Sequence, residues 1–190
     1  MPESRRALCD EIYPQAVDHC VVIAVVDGAE SSEGKSRLTA ELALALAESG
    51  HPRVLVLESD LQRPAVRRFL RVEMPAGFGL SEQLKSRIEV RQRRPWTVIE
   101  CAPTLHVLAE GSNGAPELIL SRPFEDCVNE LRSFYDFIVL DGPRIRDVPA
   151  CRAVNDVVDS AVLLASAAGE LVQARSLFPG KRVSVVTTPR

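Results

Sequence analysis

Val21-Val22-Ile23-Ala24-Val25-Val26, followed by Asp27-Gly28 and then Ala29-Glu30-Ser31-Ser32-Glu33-Gly34-Lys35-Ser36, is the stretch on which the fold turns. Its first six residues are apolar without a break and rich in β-branched side chains. A strand buried on both faces of a parallel sheet has this composition, whereas a half-exposed strand alternates. Gly28 to Gly34 is small, polar or acidic and predicts a loop. A helix is expected next, from about Lys35 to Ser49, with Leu38, Leu42, Ala45 and Leu46 on one face and Gly50 placed to end it. Strand, tight loop and helix start in succession gather backbone N–H groups and a positive helix end around one point, which suits an anion.

The loop fits [AG]-x-x-x-x-G-K-[ST], with Ala29 in the first slot because Gly28 comes one residue early. This is the phosphate-binding loop pattern. Ala29, Glu30, Ser31, Ser32, Glu33, Gly34, Lys35, Ser36 and Arg37 are the expected cradle for ATP or ADP. Gly34 allows close backbone approach, Lys35 reaches the terminal phosphates, and the Ser36 hydroxyl suits Mg²⁺. Two further strands end on acids. Phe137-Ile138-Val139-Leu140-Asp141 precedes Gly142-Pro143, so Asp141 either meets Mg²⁺ at the phosphates or shapes a turn. Arg53-Val54-Leu55-Val56-Leu57-Glu58 leads to Asp60. Glu58 and Asp60 either flank the metal, or Asp60 caps the next segment. The expected catalytic set is Lys35, Glu58, Asp60 and Asp141, and the expected metal set is Ser36, Glu58 and Asp141.

Outward from these motifs, strands and helices alternate. Helices are expected at Ala65 to Leu70 after Pro64, Leu80 to Lys85, Pro123 to Ser133, Ala150 to Val157 and Glu170 to Leu177. Strands are expected at Trp96 to Glu100, Leu105 to Leu108, Ala161 to Ala165 and Val183 to Thr187, and Glu110 to Pro116 reads as a loop. Alternation of this kind predicts a three-layer α/β fold: a mostly parallel sheet flanked by helices on both faces. The 190 residues fit one domain, with a helical segment over residues 1–20.

A net charge of -3 gives no basic face that would call for nucleic acid. The charged start has no secretory core, and no stretch nears the ~18 apolar residues of a membrane span. A cytoplasmic protein is therefore expected. Its five cysteines form no close pair and are expected to be reduced and mostly buried. His19, His51 and His106 are too scattered for a metal site. The arginines between Arg87 and Pro95 read as a solvated surface run.

Together with the phosphate loop, three stretches resemble one family. They are Leu57-Glu58-Ser59-Asp60-Leu61-Gln62-Arg63-Pro64, Gly79-Leu80-Ser81 and Tyr135-Asp136-Phe137-Ile138-Val139-Leu140-Asp141-Gly142-Pro143. The chain resembles the bacterial tyrosine kinases of capsule and exopolysaccharide synthesis, within the ParA/MinD-type P-loop ATPases, from about Glu3 to Thr188. The resemblance implies that Lys35, Ser36 and Asp141 are the Walker A lysine, the magnesium hydroxyl and the Walker B aspartate. It makes Glu58 and Asp60 the two acids of the D-x-D motif. Glu3 and Arg6 match the start of an E-x-x-R-x-x-R element used for self-association. The implied partner is a membrane polysaccharide chain-length regulator, a polysaccharide co-polymerase, which would recruit the chain to the inner face of the membrane.

Several positions depart from the family's pattern. Glu58 replaces an aspartate, Gln62 an arginine, Ser31-Ser32 a Pro-Gly, and Glu30 stands where ParA/MinD proteins carry a signature lysine. Arg37 replaces a small hydroxyl residue and Cys9 the third arm of the association element. The sequence holds two tyrosines, Tyr13 and Tyr135, and no tyrosine-rich end. Weak or altered ATPase and tyrosine kinase activity is the function these features imply. The alternatives are a non-catalytic scaffold of the same system, a ParA/MinD-type positioning ATPase, or a small-molecule kinase with the arginine run as its lid.

Overall fold

Among the described residues, seven strands form one sheet in the order β3-β4-β2-β5-β1-β6-β7. They are β1 (Val21–Asp27), β2 (Val54–Glu58), β3 (Ile99–Ala102), β4 (Leu105–Leu108), β5 (Phe137–Arg144), β6 (Ser160–Ala165) and β7 (Arg182–Thr187). All neighbours are parallel except β3 and β4, which pair antiparallel at one edge. The computed structural model describes residues 3–12, 19–28, 33–48, 52–90, 94–112 and 114–187.

Among the described residues, helix α1 (Glu3–Ile12) precedes β1, and the strands are connected through α2 (Glu33–Glu48), α3 (Val66–Leu70), α4 (Leu80–Val90), α5 (Arg122–Leu131), α6 (Val148–Asn155) and α7 (Ala168–Leu177). The sheet divides the core in two. On β1, Val22, Ala24 and Val26 join the cluster that holds Leu84 of α4, Phe124 and Val128 of α5, Val154 of α6 and Leu177 of α7. Val21, Ile23 and Val25 join the other, with Leu8 and Ile12 of α1, Leu38, Leu42 and Leu46 of α2, and Val66 of α3. Period-two alternation along an all-buried strand thus feeds both faces. The expected three layers are present.

Besides β5, which continues past Asp141 to Arg144, the structure differs from the expected elements chiefly in three places. Helix α4 continues past Lys85 to Val90 and carries Arg87 inward. The Arg87 guanidinium lies 3.7 Å over the Trp96 ring and 3.6 Å from Glu130, with 11% of its side chain exposed. Stacking on a flat aromatic face takes this arginine out of the solvated run, and residues 91–93 lie outside the described residues. Strand β3 starts at Ile99, three residues after Trp96, and Trp96 instead donates its Nε1–H to Glu130 at 2.7 Å. After the Glu110–Pro116 loop, Pro116–Leu120 forms a 3-10 turn that buries Leu118 and Ile119. The five cysteines are free, and Cys9, Cys127 and Cys151 are buried.

Phe124 fills the space between α5 and the sheet at 1% exposure. Phe124→Ala is expected to destabilise the fold by about 3–5 kcal/mol through lost burial and a residual cavity, read as a lower midpoint in urea denaturation.

Candidate phosphate-binding site

Strands β1, β2 and β5 are adjacent and parallel, so their C-terminal ends meet at one edge. Helix α2 starts over that edge. Its second and third residues after Glu33 are Lys35 and Ser36, both fully buried. Lys35 Nζ donates to Asp60 Oδ2 at 2.7 Å and to the Gly142 carbonyl, and lies 3.6 Å from Asp141 Oδ1. Ser36 Oγ donates to Asp141 Oδ2 at 2.7 Å. One lysine therefore ties together the ends of three elements: the start of α2, the turn after β2, and β5.

Backbone geometry fixes the acids. The Asp141 carbonyl accepts from Ser59 N at 3.1 Å, Asp60 N at 3.0 Å and Ser59 Oγ at 3.0 Å. Those bonds carry Asp60 to the lysine. Gly142 leaves no room for a side chain, because an added Cβ would lie 2.8 Å from the Val25 carbonyl. β5 runs through Gly142-Pro143 to Arg144 and does not stop at Asp141.

Electrostatics follow from burial. Burial works to lower the Lys35 pKa, but Asp141, Asp60 and Asp27 outweigh it and hold the ammonium above its ordinary 10.5. Burial raises the Asp141 pKa, opposed by the Lys35 charge and the Ser36 hydrogen bond, and supported by Asp60. The Lys35 charge is thus held more firmly than in water, whereas the partners of Asp141 only partly replace the water it lost.

Of the other expected site residues, Ala29, Glu30, Ser31 and Ser32 lie outside the described residues. Gly34 packs close to Leu164, where an added Cβ would be 3.2 Å from its Cδ2. The side chains of Glu33 and Arg37, both residues of the expected cradle, face outward. Glu33 pairs with Arg68 at 3.0 Å, and Arg37 pairs one helical turn along with Glu41 at 2.9 Å. Glu58, expected beside the metal, turns its carboxylate to two backbone donors. Its Oε1 accepts from Val66 N at 2.8 Å and its Oε2 from Glu110 N at 3.0 Å. The longer side chain thus bridges the start of α3 to the segment after β4. Burial raises its pKa, the Glu110 backbone bond opposes, the Asp141 charge adds, and the Val66 bond opposes again.

Two residues bonded to Asp141 escaped the sequence reading. Thr39 Oγ1 lies 3.0 Å from the Lys35 carbonyl and 3.2 Å from Asp141 Oδ1, and Ser59 anchors to the Asp141 carbonyl. Thr39 was discoverable, since a residue four after Lys35 and three after Ser36 shares their helix face.

A serine hydroxyl 2.7 Å from an aspartate is a hard-oxygen pair of the kind Mg²⁺ takes, with water and phosphate oxygens completing its shell. Among the described residues, no group of three His, Cys, Asp or Glu is arranged to hold a metal alone. The donors present fit Mg²⁺ shared with a nucleotide.

No protein-family model matches the chain. A putative tyrosine-protein kinase, CapB of Staphylococcus aureus, is 30% identical over 167 residues, which is 87% of this chain and 71% of that protein. This chain belongs to the bacterial tyrosine kinase family. The tyrosine kinase domain of Escherichia coli ETK superposes with a TM-score of 0.79 at 18% identity, over 98% of this chain and 74% of that one. MinD of Pyrococcus horikoshii, solved with Mg-ADP, gives 0.67 at 19%, over 86% and 68%. These likenesses show a shared three-layer fold.

Within this tyrosine kinase fold, Glu58 is a strut. Glu58→Asp, one methylene shorter, cannot reach both N–H groups and is expected to lower stability by about 1–3 kcal/mol. Thermal denaturation without nucleotide checks this. A variant as stable as the parent would put Glu58 elsewhere.

Proposed function

We propose that residues 1–190 form one P-loop domain that binds ATP or ADP with Mg²⁺ at Lys35, Ser36 and Asp141. In this reading it acts with weak or altered ATPase and tyrosine kinase activity in exopolysaccharide or capsule synthesis. The observation that carries the reading is the buried Lys35 ammonium held between Asp60 and Asp141 at the start of α2. Kinship with the tyrosine kinases and the Mg-ADP in the MinD structure support it.

In this reading Lys35 leaves Asp60 for the terminal phosphates, and the first N–H groups of α2 meet the remaining phosphate charge. Ser36 and Asp141 hold Mg²⁺, while Thr39 keeps the Asp141 carboxylate turned toward Ser36. Bound Mg²⁺ neutralises charge on the phosphates. Asp60, relieved of Lys35, borders a cavity of roughly 50 Å³ lined also by Ser59, Gln62, Arg63 and Arg144. A hydroxyl placed there gives its proton to Asp60 as its oxygen bonds to the γ-phosphorus and the bond to the β-phosphate oxygen breaks, leaving ADP. Glu58, committed to the backbone, positions α3 and the turn that carries Asp60.

Slow turnover fits two features. Lys35 must give up close acidic partners before it serves phosphate, and Glu30 adds negative charge to the loop. The acceptor in this reading is water, a tyrosine of another chain, or Tyr13. Tyr135 is unsuited to the role because it is 7% exposed and its hydroxyl sits 2.9 Å from His106 Nδ1. A cytoplasmic place beside a membrane polysaccharide co-polymerase is part of the same proposal. Among the described residues no helix is long and apolar enough to cross a membrane. Self-association through Glu3 and Arg6 would be weak, because Cys9 at the third position of that element packs into the core at 5% exposure.

Lys35→Met is expected to weaken Mg-ADP binding on the order of a hundredfold or more, since a charge-assisted contact is lost. Calorimetry on folded protein checks this, and absence of affinity in the parent would leave a scaffold. Incubation with ATP followed by mass spectrometry is expected to find little phosphotyrosine. Light scattering of the isolated chain is expected to show monomers and small oligomers, and a stable large ring would contradict the weak-association reading.

A further inference from the structure

Asp27 ends the strand that runs into the phosphate loop. Its side chain is 0% exposed, and among the described residues neither carboxylate oxygen has a hydrogen-bond partner. Its backbone is fixed: its carbonyl accepts from Ile145 N at 3.0 Å, and its Cα registers with Arg144 on β5 and Leu164 on β6. A buried carboxylate without a donor is costly to keep charged. An orphan of this kind in a folded protein calls for a specific cause.

The surrounding charges supply one. Lys35 from α2 and Arg144 from β5 attract Asp27, while Asp60 from the turn after β2 and Asp141 from β5 repel it. From α6 comes Cys151, a thiol pushed to about 12 by burial first, with Asp147 and Asp27 adding to the rise. From α7, Glu170 lies against the next residue, for an added Cβ on Gly28 would sit 2.2 Å from Glu170 Cδ. The Lys35 ammonium is thus shared among the fields of Asp141, Asp60 and Asp27.

We propose that Asp27 is a positioning residue of the nucleotide site, a buried carboxylate that competes with nucleotide phosphate for the Lys35 ammonium. The inference rests on the nucleotide-binding reading above. When phosphate draws Lys35 away, Asp27 loses its main attracting charge and gains a negative neighbour. It responds by taking a proton, so binding is coupled to proton uptake. Burial already lifts Asp27 from 3.8 to about 6, against the pull of Lys35 and Arg144. A folded-state value above the unfolded one means that its contribution to stability is complete below 3.8 and is lost as pH rises through about 6. Above that range the ionised carboxylate both destabilises the empty fold and holds Lys35 back.

The test is calorimetric titration of the full chain with ADP at saturating Mg²⁺, near pH ~5.5 and ~7.5, in buffers of different ionisation heat. Wild type, Asp27→Asn and Asp27→Thr are compared. Wild type is expected to bind roughly fivefold or more weakly at the higher pH and to take up part of a proton on binding. Both variants are expected to bind more tightly than wild type at the higher pH and to lose the excess proton uptake. Unliganded Asp27→Asn is expected to melt on the order of 5 °C above wild type at the higher pH, a gap that closes below pH ~4. Equal pH slopes in wild type and variants would overturn the proposal. So would wild type binding without proton uptake, whether or not the variants fold. Absence of Mg-ADP affinity in every folded form at both pH values would instead remove the nucleotide reading on which the proposal stands.

Discussion

The burial of one ammonium group organises this molecule. Lys35 is fully enclosed and meets Asp60, Asp141 and the Gly142 carbonyl. An unpaired charge in that position would be prohibitive, so its partners must arrive from several elements at once. Asp141 comes from β5, Asp60 from the turn after β2, and Lys35 from the helix after β1. The three strands have to be parallel and in register for their ends to meet, and the sheet order places β5 between β2 and β1. The chemistry of the edge and the topology of the sheet are the same constraint seen twice.

Much of this was legible in the sequence. Uninterrupted apolar runs at Val21–Val26 and Phe137–Leu140 announce strands covered on both faces, and the structure buries every one of those residues. The Gly34-Lys35-Ser36 start of α2 and the acid at Asp141 were readable because strand ends and helix starts are local features. Helix α4 was read too short because the segment from Arg87 onward read as a solvated surface run. The Trp96 ring that receives Arg87 comes from a separate segment, and no local pattern announces it.

Glu58 shows the limit most clearly. Spacing says that an acid ends β2 but not which way its carboxylate turns. With one methylene more than aspartate it reaches Val66 N and Glu110 N, two donors from segments 8 and 52 residues away. Those N–H groups would otherwise be buried without acceptors, so the glutamate answers a backbone need. Asp60, two residues on, takes the lysine. Side chains that looked like a pair divide into a strut and an ion-pair partner.

Asp27 was passed over for a related reason: an acid after six apolar residues reads as the first residue of a loop. The structure keeps it as the last, buried residue of β1, where no described donor reaches it. Asp27, Asp60 and Asp141 together oppose Lys35 and Arg144, three carboxylates against two cations in one buried neighbourhood. The balance is already negative before any phosphate enters. A site of that sign admits a polyanion only if a divalent cation or a proton enters with it. The Ser36–Asp141 pair suits the cation, and Asp27 is placed to take the proton.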